Sequence, residues 1–185
     1  MQNTTNPYDI HEHQHRFAVW TAGRASQVKG KRFPVRSCAD WLSNAGIDRS
    51  LTLAKLPFSS DEFDEKHRDW RETLVSLARP TVDLSHGQAA KILNIYFKTR
   101  FVNSETSQHP SVVHLHPPID RLLIEEIKIR AALDKPTQKR LKAATRNGWS
   151  AMDSDKYEEV IAVFRALISP KPFWMLENYW CGFQG

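Results

Sequence analysis

An all-α fold is what this chain predicts, and three observations carry that reading. Glycine is scarce, at 7 of 185 residues, while 10 prolines punctuate the chain. Apolar residues recur at steps of three and four over several segments, and no segment alternates as a half-buried strand does. Helix-stopping residues such as Gly30, Gly46 and Pro80 close those segments. The expected architecture is one domain over residues 1–185, a compact bundle of about seven or eight helices.

Residues 1–8 are polar and read as a loose N-terminus. From Asp9 the chain reads helical, with Phe17, Trp20, Arg24 and Val28 near helical spacing. Ala18, Ala22 and Ala25 lie between them and would let another helix approach closely. Core packing is the first reading of Trp20. His11 and His15 sit four apart, but no further ligand completes a metal spacing, so no metal site is expected. Phe33-Pro34-Val35 is an extended break, and Trp41-Leu42 sits in a short helix closed by Gly46.

Asp61 starts a strong helix with an acidic first turn, which suits the positive end of the helix dipole. Phe63, His67, Trp70, Leu74 and Leu77 form its apolar stripe, with His67 as a packed core histidine. Ser85 and Gln88 then fit a capping box. Ala89, Ile92, Leu93, Tyr96 and Phe97 make the buried stripe of that helix. Lys91, Asn94 and Lys98 make a second stripe, at offsets of three and seven, and so point the same way.

Residues 103–116 carry no helical period and read as a loop holding His109, His114 and His116. Pro117-Pro118 opens another helix, with Ile119, Leu122, Leu123 and Ile127 inward and Asp120 in its first turn. Residues 85–133 thus form a helix-loop-helix unit. Lys139 to Thr145 is a short basic helix ending near Asn147-Gly148. Tyr157, Val160, Ile161, Phe164, Leu167 and Ile168 give the clearest stripe in the chain. The segment 173–180 is too apolar to be exposed and should dock on the core.

Composition narrows the functional classes. Hydrophobic residues are 41% and charged residues 25%, as in ordinary globular domains. Cys38 and Cys181 offer neither a disulfide framework nor a paired metal motif, which suits a reducing compartment. No apolar run reaches the roughly 18 residues of a membrane span. The first residues lack the pattern of a signal peptide. The expected location is cytoplasmic and nucleoid-associated, with no membrane partner and no cofactor.

Net charge is +5 and the isoelectric point about 9.3. The cations cluster: Arg24, Lys29, Lys31, Arg32 and Arg36 form one run, and Lys128 to Arg146 another, broken only by Asp134. The acids concentrate in residues 61–65. Such separation suits a phosphate backbone on one face, so a nucleic acid is the expected partner. Lys98, Arg24, Lys29, Lys31, Arg32, Lys139, Arg140, Lys142 and Arg146 are the candidate backbone contacts, with His114 and His116 from the loop. Trp20, Gln88 and Asn94 are the candidate base-pocket residues.

A lysine stripe beside an aspartate at a helix start is a sensible layout for cleaving an N-glycosidic bond in DNA. That reaction passes through a sugar cation, which a carboxylate stabilises. A lysine amine of lowered pKa can attack the sugar and form a Schiff base. The target base must leave the stack, which calls for an aromatic pocket.

Residues 87–98 (Gly-Gln-Ala-Ala-Lys-Ile-Leu-Asn-Ile-Tyr-Phe-Lys), followed by Pro118-Ile119-Asp120, resemble the bacterial 8-oxoguanine DNA glycosylase-like proteins of the helix-hairpin-helix superfamily. Trp149-Ser150, Tyr157, Phe173-Trp174, Glu177 and Trp180 follow in an order similar to that family's C-terminal part. The resemblance implies a helix-hairpin-helix glycosylase fold, Asp120 as the catalytic carboxylate and Lys91 as the amine. The family's Leu-Pro-Gly-hydrophobic-Gly hairpin is absent; only Gly87 remains. In members with lyase activity the lysine follows the second hairpin glycine by two residues. Here that position is Ala89, and Lys91 follows by four. Base excision, which needs only the aspartate and water, is therefore the first expectation, and a non-catalytic nucleic-acid binder or a small interaction or defence protein is the alternative.

Overall fold

The computed structural model describes residues 8–104 and 106–182. The loose N-terminus expected over 1–8 lies, but for Tyr8, outside the described residues. The described residues form seven α-helices: α1 (Ile10–Ala25), α2 (Val35–Asn44), α3 (Ser60–Ala78), α4 (His86–Phe97), α5 (Arg121–Arg130), α6 (Lys135–Ala144) and α7 (Ser154–Ile168). Short 3-10 turns occupy Leu53–Lys55, Trp149–Ala151 and Phe173–Tyr179, and a wide π turn, Lys98–Val102, extends α4. The described residues contain no strand; a lone bridge joins Val28 and Lys31.

Local chemistry sets the helix starts. Asp9, Ser59, Ser85, Asp120, Asp134 and Asp153 each accept a bond from the backbone N–H three residues on. Each such cap is typically worth about 1 kcal/mol. At Ser85 the expected capping box is complete, with the Gln88 side chain reaching back to the Ser85 N–H.

The middle of the molecule is α4, in which every residue but His86 and Lys91 is buried. One apolar cluster lies on its first side, built from α1, α2, α3 and the loop residues Val112 and Leu115. A second cluster gathers α5, α6, α7 and the C-terminal turn around Ala90. The turn Trp149–Ala151 presses on the start of α4. A Cβ on Gly87 would stand 1.8 Å from the Trp149 carbonyl oxygen. The Gly87 N–H donates to the Met152 carbonyl at 3.1 Å, and the Ser85 hydroxyl to that of Ser150 at 2.8 Å.

Several expectations change. The stripe of α1 is inverted: Ala18, Val19, Ala22 and Gly23 face the core, while Phe17 and Trp20 face solvent. Core packing of Trp20 is thus wrong. The reason is proximity to α4, whose bulky residues leave room only for small side chains on the facing helix. In α3 the buried stripe ends on Ala78, and Leu77 is exposed. Asp120 is the N-cap of α5 rather than a first-turn residue, and Leu122 is exposed. The short basic helix starts earlier, at Lys135. Residues 103–116 form turns, as expected, but Ser111, Val112, Leu115 and His116 are buried. The C-terminal segment docks as expected, through Phe173 and Leu176.

Candidate active site

The single buried-helix residue aimed outward beyond the first turn of α4 is Lys91, and it meets Asp120. Its side chain is 11% exposed, and its ammonium lies 3.5 Å from Asp120 Oδ2. The approach to α5 through Pro117 and Pro118 delivers the carboxylate there. Asp120 Oδ1 accepts the Leu123 N–H at 3.0 Å as the helix cap. Its Oδ2 accepts the Trp180 indole N–H at 3.3 Å. The Trp149 ring covers the amine, with 4.3 Å from Nζ to the ring centroid. Burial pushes the Lys91 pKa down, and Asp120 partly offsets that.

A second pair stands beside the first. Lys98, two helical turns on, pairs with Glu177, and its ammonium lies 6.0 Å from the Trp180 ring centroid. Burial pushes the Glu177 carboxyl up; Lys98 opposes the shift and the negative charge of Asp120 adds to it. The result is two amine–carboxylate pairs linked through Trp180, whose indole N–H bonds Asp120 and whose ring lies near Lys98. Trp149, Glu177 and Trp180 were absent from the candidate site residues read from the sequence. Their only signal was the order of aromatic residues and Glu177 in the C-terminal segment.

The candidate base-pocket residues do not come together. Gln88 and Asn94 are fully buried, whereas Trp20 is 51% exposed on α1. Gln88 is used in the capping box. Asn94 sits at the centre of a buried polar chain. Its amide N–H groups donate to the Pro117 carbonyl at 2.9 Å and to the Tyr157 hydroxyl at 3.0 Å. His67 Nε2 meets Asn94 Oδ1 at 2.9 Å, and Arg71 Nε donates to His67 Nδ1 at 3.2 Å. On the other side His116 Nδ1 meets the Tyr157 hydroxyl at 3.0 Å, and its Nε2 meets Asp64 Oδ1 at 2.7 Å.

One assignment of protons satisfies this chain: neutral His67 and His116, each with its proton on Nε2. The donors then run from Arg71 to His67, Asn94, Tyr157, His116 and Asp64. Burial drives both histidines well below the usual histidine pKa, with neighbouring arginines adding to it. The His116–Asp64 contact is therefore a hydrogen bond from a neutral imidazole, not an ion pair. His116, a candidate for phosphate contact, is inside the protein and committed to Tyr157 and Asp64. His114 lies nearer the surface, beside Arg165 and Phe173 in a cavity of about 280 Å³.

The cations divide by their partners. Arg24, Lys29, Arg32, Lys139, Lys142 and Arg146 are exposed. Lys31 donates to the Asp83 carbonyl at 2.6 Å. Arg140 engages Glu159 through two nitrogens, at 2.5 and 3.1 Å. Lys98 is held by Glu177. Thus the basic surface is contributed by exposed residues at the end of α1 and just after it, and along and just past α6, while Lys98 belongs to the site itself. Among the described residues no helix is long and apolar enough to cross a membrane, and no cluster of three metal-ligating side chains occurs.

This geometry stands without a family to lean on: no protein-family model, no curated protein and no solved structure matches the chain.

Proposed function

We propose that this protein is a DNA glycosylase-like enzyme that hydrolyses the N-glycosidic bond of a damaged or modified base. The observation that carries the reading is the Lys91–Asp120 pair, 3.5 Å apart between the Trp149 and Trp180 indoles. A carboxylate held this firmly is placed to stabilise a sugar cation, and to orient water toward its C1′. The neighbouring amine, made less basic by burial, is a nucleophile of the kind that opens a sugar as a Schiff base. The exposed cations of residues 24–32 and of α6 supply attraction for phosphates.

A base-release assay across duplexes carrying different modified bases tests the proposal. Asp120→Asn is expected to retain duplex binding and to lose release by ~100-fold or more. Full activity in that variant would remove Asp120 from the mechanism. Borohydride trapping on an abasic duplex reports on the amine; an adduct that persists in Lys91→Gln would exclude Lys91.

A second reading, a nucleic-acid binder without catalysis, is favoured by the covering of Lys91. With 11% of its side chain exposed and the Trp149 ring over it, the amine reaches a sugar only if Trp149 moves. Salt-sensitive duplex binding with no release of any tested base would support this reading over the first.

A further inference from the structure

The solvent face of α1 presents rings where charge is expected. His13, Phe17, Trp20 and Arg24 fall at steps of four, three and four, and so share one side of the helix. Phe17 is 55% exposed and Trp20 51%. The two rings are stacked, with centroids 6.0 Å apart and planes 22° from parallel. Packing does not require this: the opposite side of α1, with Ala18, Val19, Ala22 and Gly23, makes the contact with the core.

The chain on either side of the rings is of one sign. No acid occurs between Glu12 and Asp40. Arg16, Arg24, Lys29, Arg32 and Arg36 are all exposed. Among the described residues only Arg16 of these is in an ion pair, with Glu12. Exposed stacked rings flanked by unpaired cations match the two parts of a polynucleotide, base faces and phosphates. A duplex hides its base faces and would meet only the cations. The rings therefore point to a strand whose bases are free.

We propose that this face of α1 is a stacking platform for an unpaired polynucleotide strand, with bases on Phe17 and Trp20 and phosphates along Arg24, Lys29, Arg32 and Arg36. The platform stands whether or not Lys91 and Asp120 react, because neither residue is part of it.

Fluorescence anisotropy on the whole chain tests it, using labelled oligo(dT) of about 12 nucleotides, oligo(rU) of the same length and a hairpin duplex. The wild type is expected to bind oligo(dT). The double variant Phe17→Ala/Trp20→Ala is expected to weaken that binding about tenfold or more while changing duplex affinity less than about twofold. Both rings are exposed, so folding is retained, and circular dichroism melting verifies it. Arg24→Gln/Lys29→Gln is expected to reduce the salt dependence of strand binding. Tighter binding of oligo(rU) than of oligo(dT) keeps the platform and identifies the strand as RNA. Three results overturn it: no strand binding by the wild type, unchanged oligo(dT) affinity in the ring variant, or a wild-type dimer in sedimentation that the ring variant dissolves.

Discussion

Asp120 performs two tasks with its two oxygens. Oδ1 caps α5, and Oδ2 faces Lys91 and the Trp180 indole. The tasks separate by substitution. Asparagine is as good an N-cap as aspartate, so Asp120→Asn keeps the cap, whereas Asp120→Ala gives up about 1 kcal/mol of stability. The charge on Oδ2 has a different signature. Asp120 raises the Lys91 pKa against the burial that lowers it. Removing the carboxylate in Asp120→Asn is therefore expected to lower the Lys91 pKa further. NMR titration of the Lys91 side chain measures this directly. A pKa that rises or stays in place would show that the pair is not electrostatically coupled.

At the scale of elements, α4 takes its position from what presses on it. Gly87 is required by close approach, not by backbone conformation, since the Trp149 carbonyl occupies the space of a Cβ. That contact also fixes Trp149 over Lys91. Gly87→Ala is expected to push the Trp149–Ala151 turn away from α4, costing about 1–3 kcal/mol as overpacking. It should also change the rate of base release, because the indole that covers the amine is displaced. Thermal melting together with the base-release assay checks both; a stable and fully active Gly87→Ala would mean the turn is free to shift. The same closeness explains α1. Small residues face α4, and the large rings, with no room inside, are left outside.

Across the whole molecule, the buried chain from Arg71 to Asp64 ties α3, α4, the residues before α5 and α7 together. Its two histidines are neutral inside and have ordinary pKa values, near 6.5, when unfolded. Because their folded values are depressed, the unfolded chain binds more protons below that pH. Their contribution is complete above about pH 6.5 and is lost as pH falls toward the folded values. Each can cost up to ~1.4 kcal/mol per pH unit in that window. Asp64 and Glu177, whose values are raised, act in the opposite sense, but only in the carboxylate range. Urea unfolding at pH 7.5 and 5.5 is expected to show a clear loss of stability on acidification. His116→Gln should flatten that dependence; an unchanged slope would show that His116 does not titrate between the two states.

Helical periodicity in the sequence was enough to determine the all-α class and most of the helices. It was also enough for the capping box at Ser85, the acidic start of α3 and the docking of the apolar C-terminus. These depend on neighbours within a few residues, where spacing alone decides which groups share a face. It was not enough for the direction α1 faces, because both an aromatic and a small-residue stripe are present, and only the closeness of α4 selects between them. Nor could it place Asn94 and His116, polar residues that fold into the interior because each finds partners far along the chain. Lys91 and Asp120 were legible as candidates. Their contact, the two indoles beside them and the Lys98–Glu177 pair come from segments up to 79 residues apart. Tertiary packing alone decides such neighbours, since the energy of a buried pair depends on which groups meet and how much water they lose.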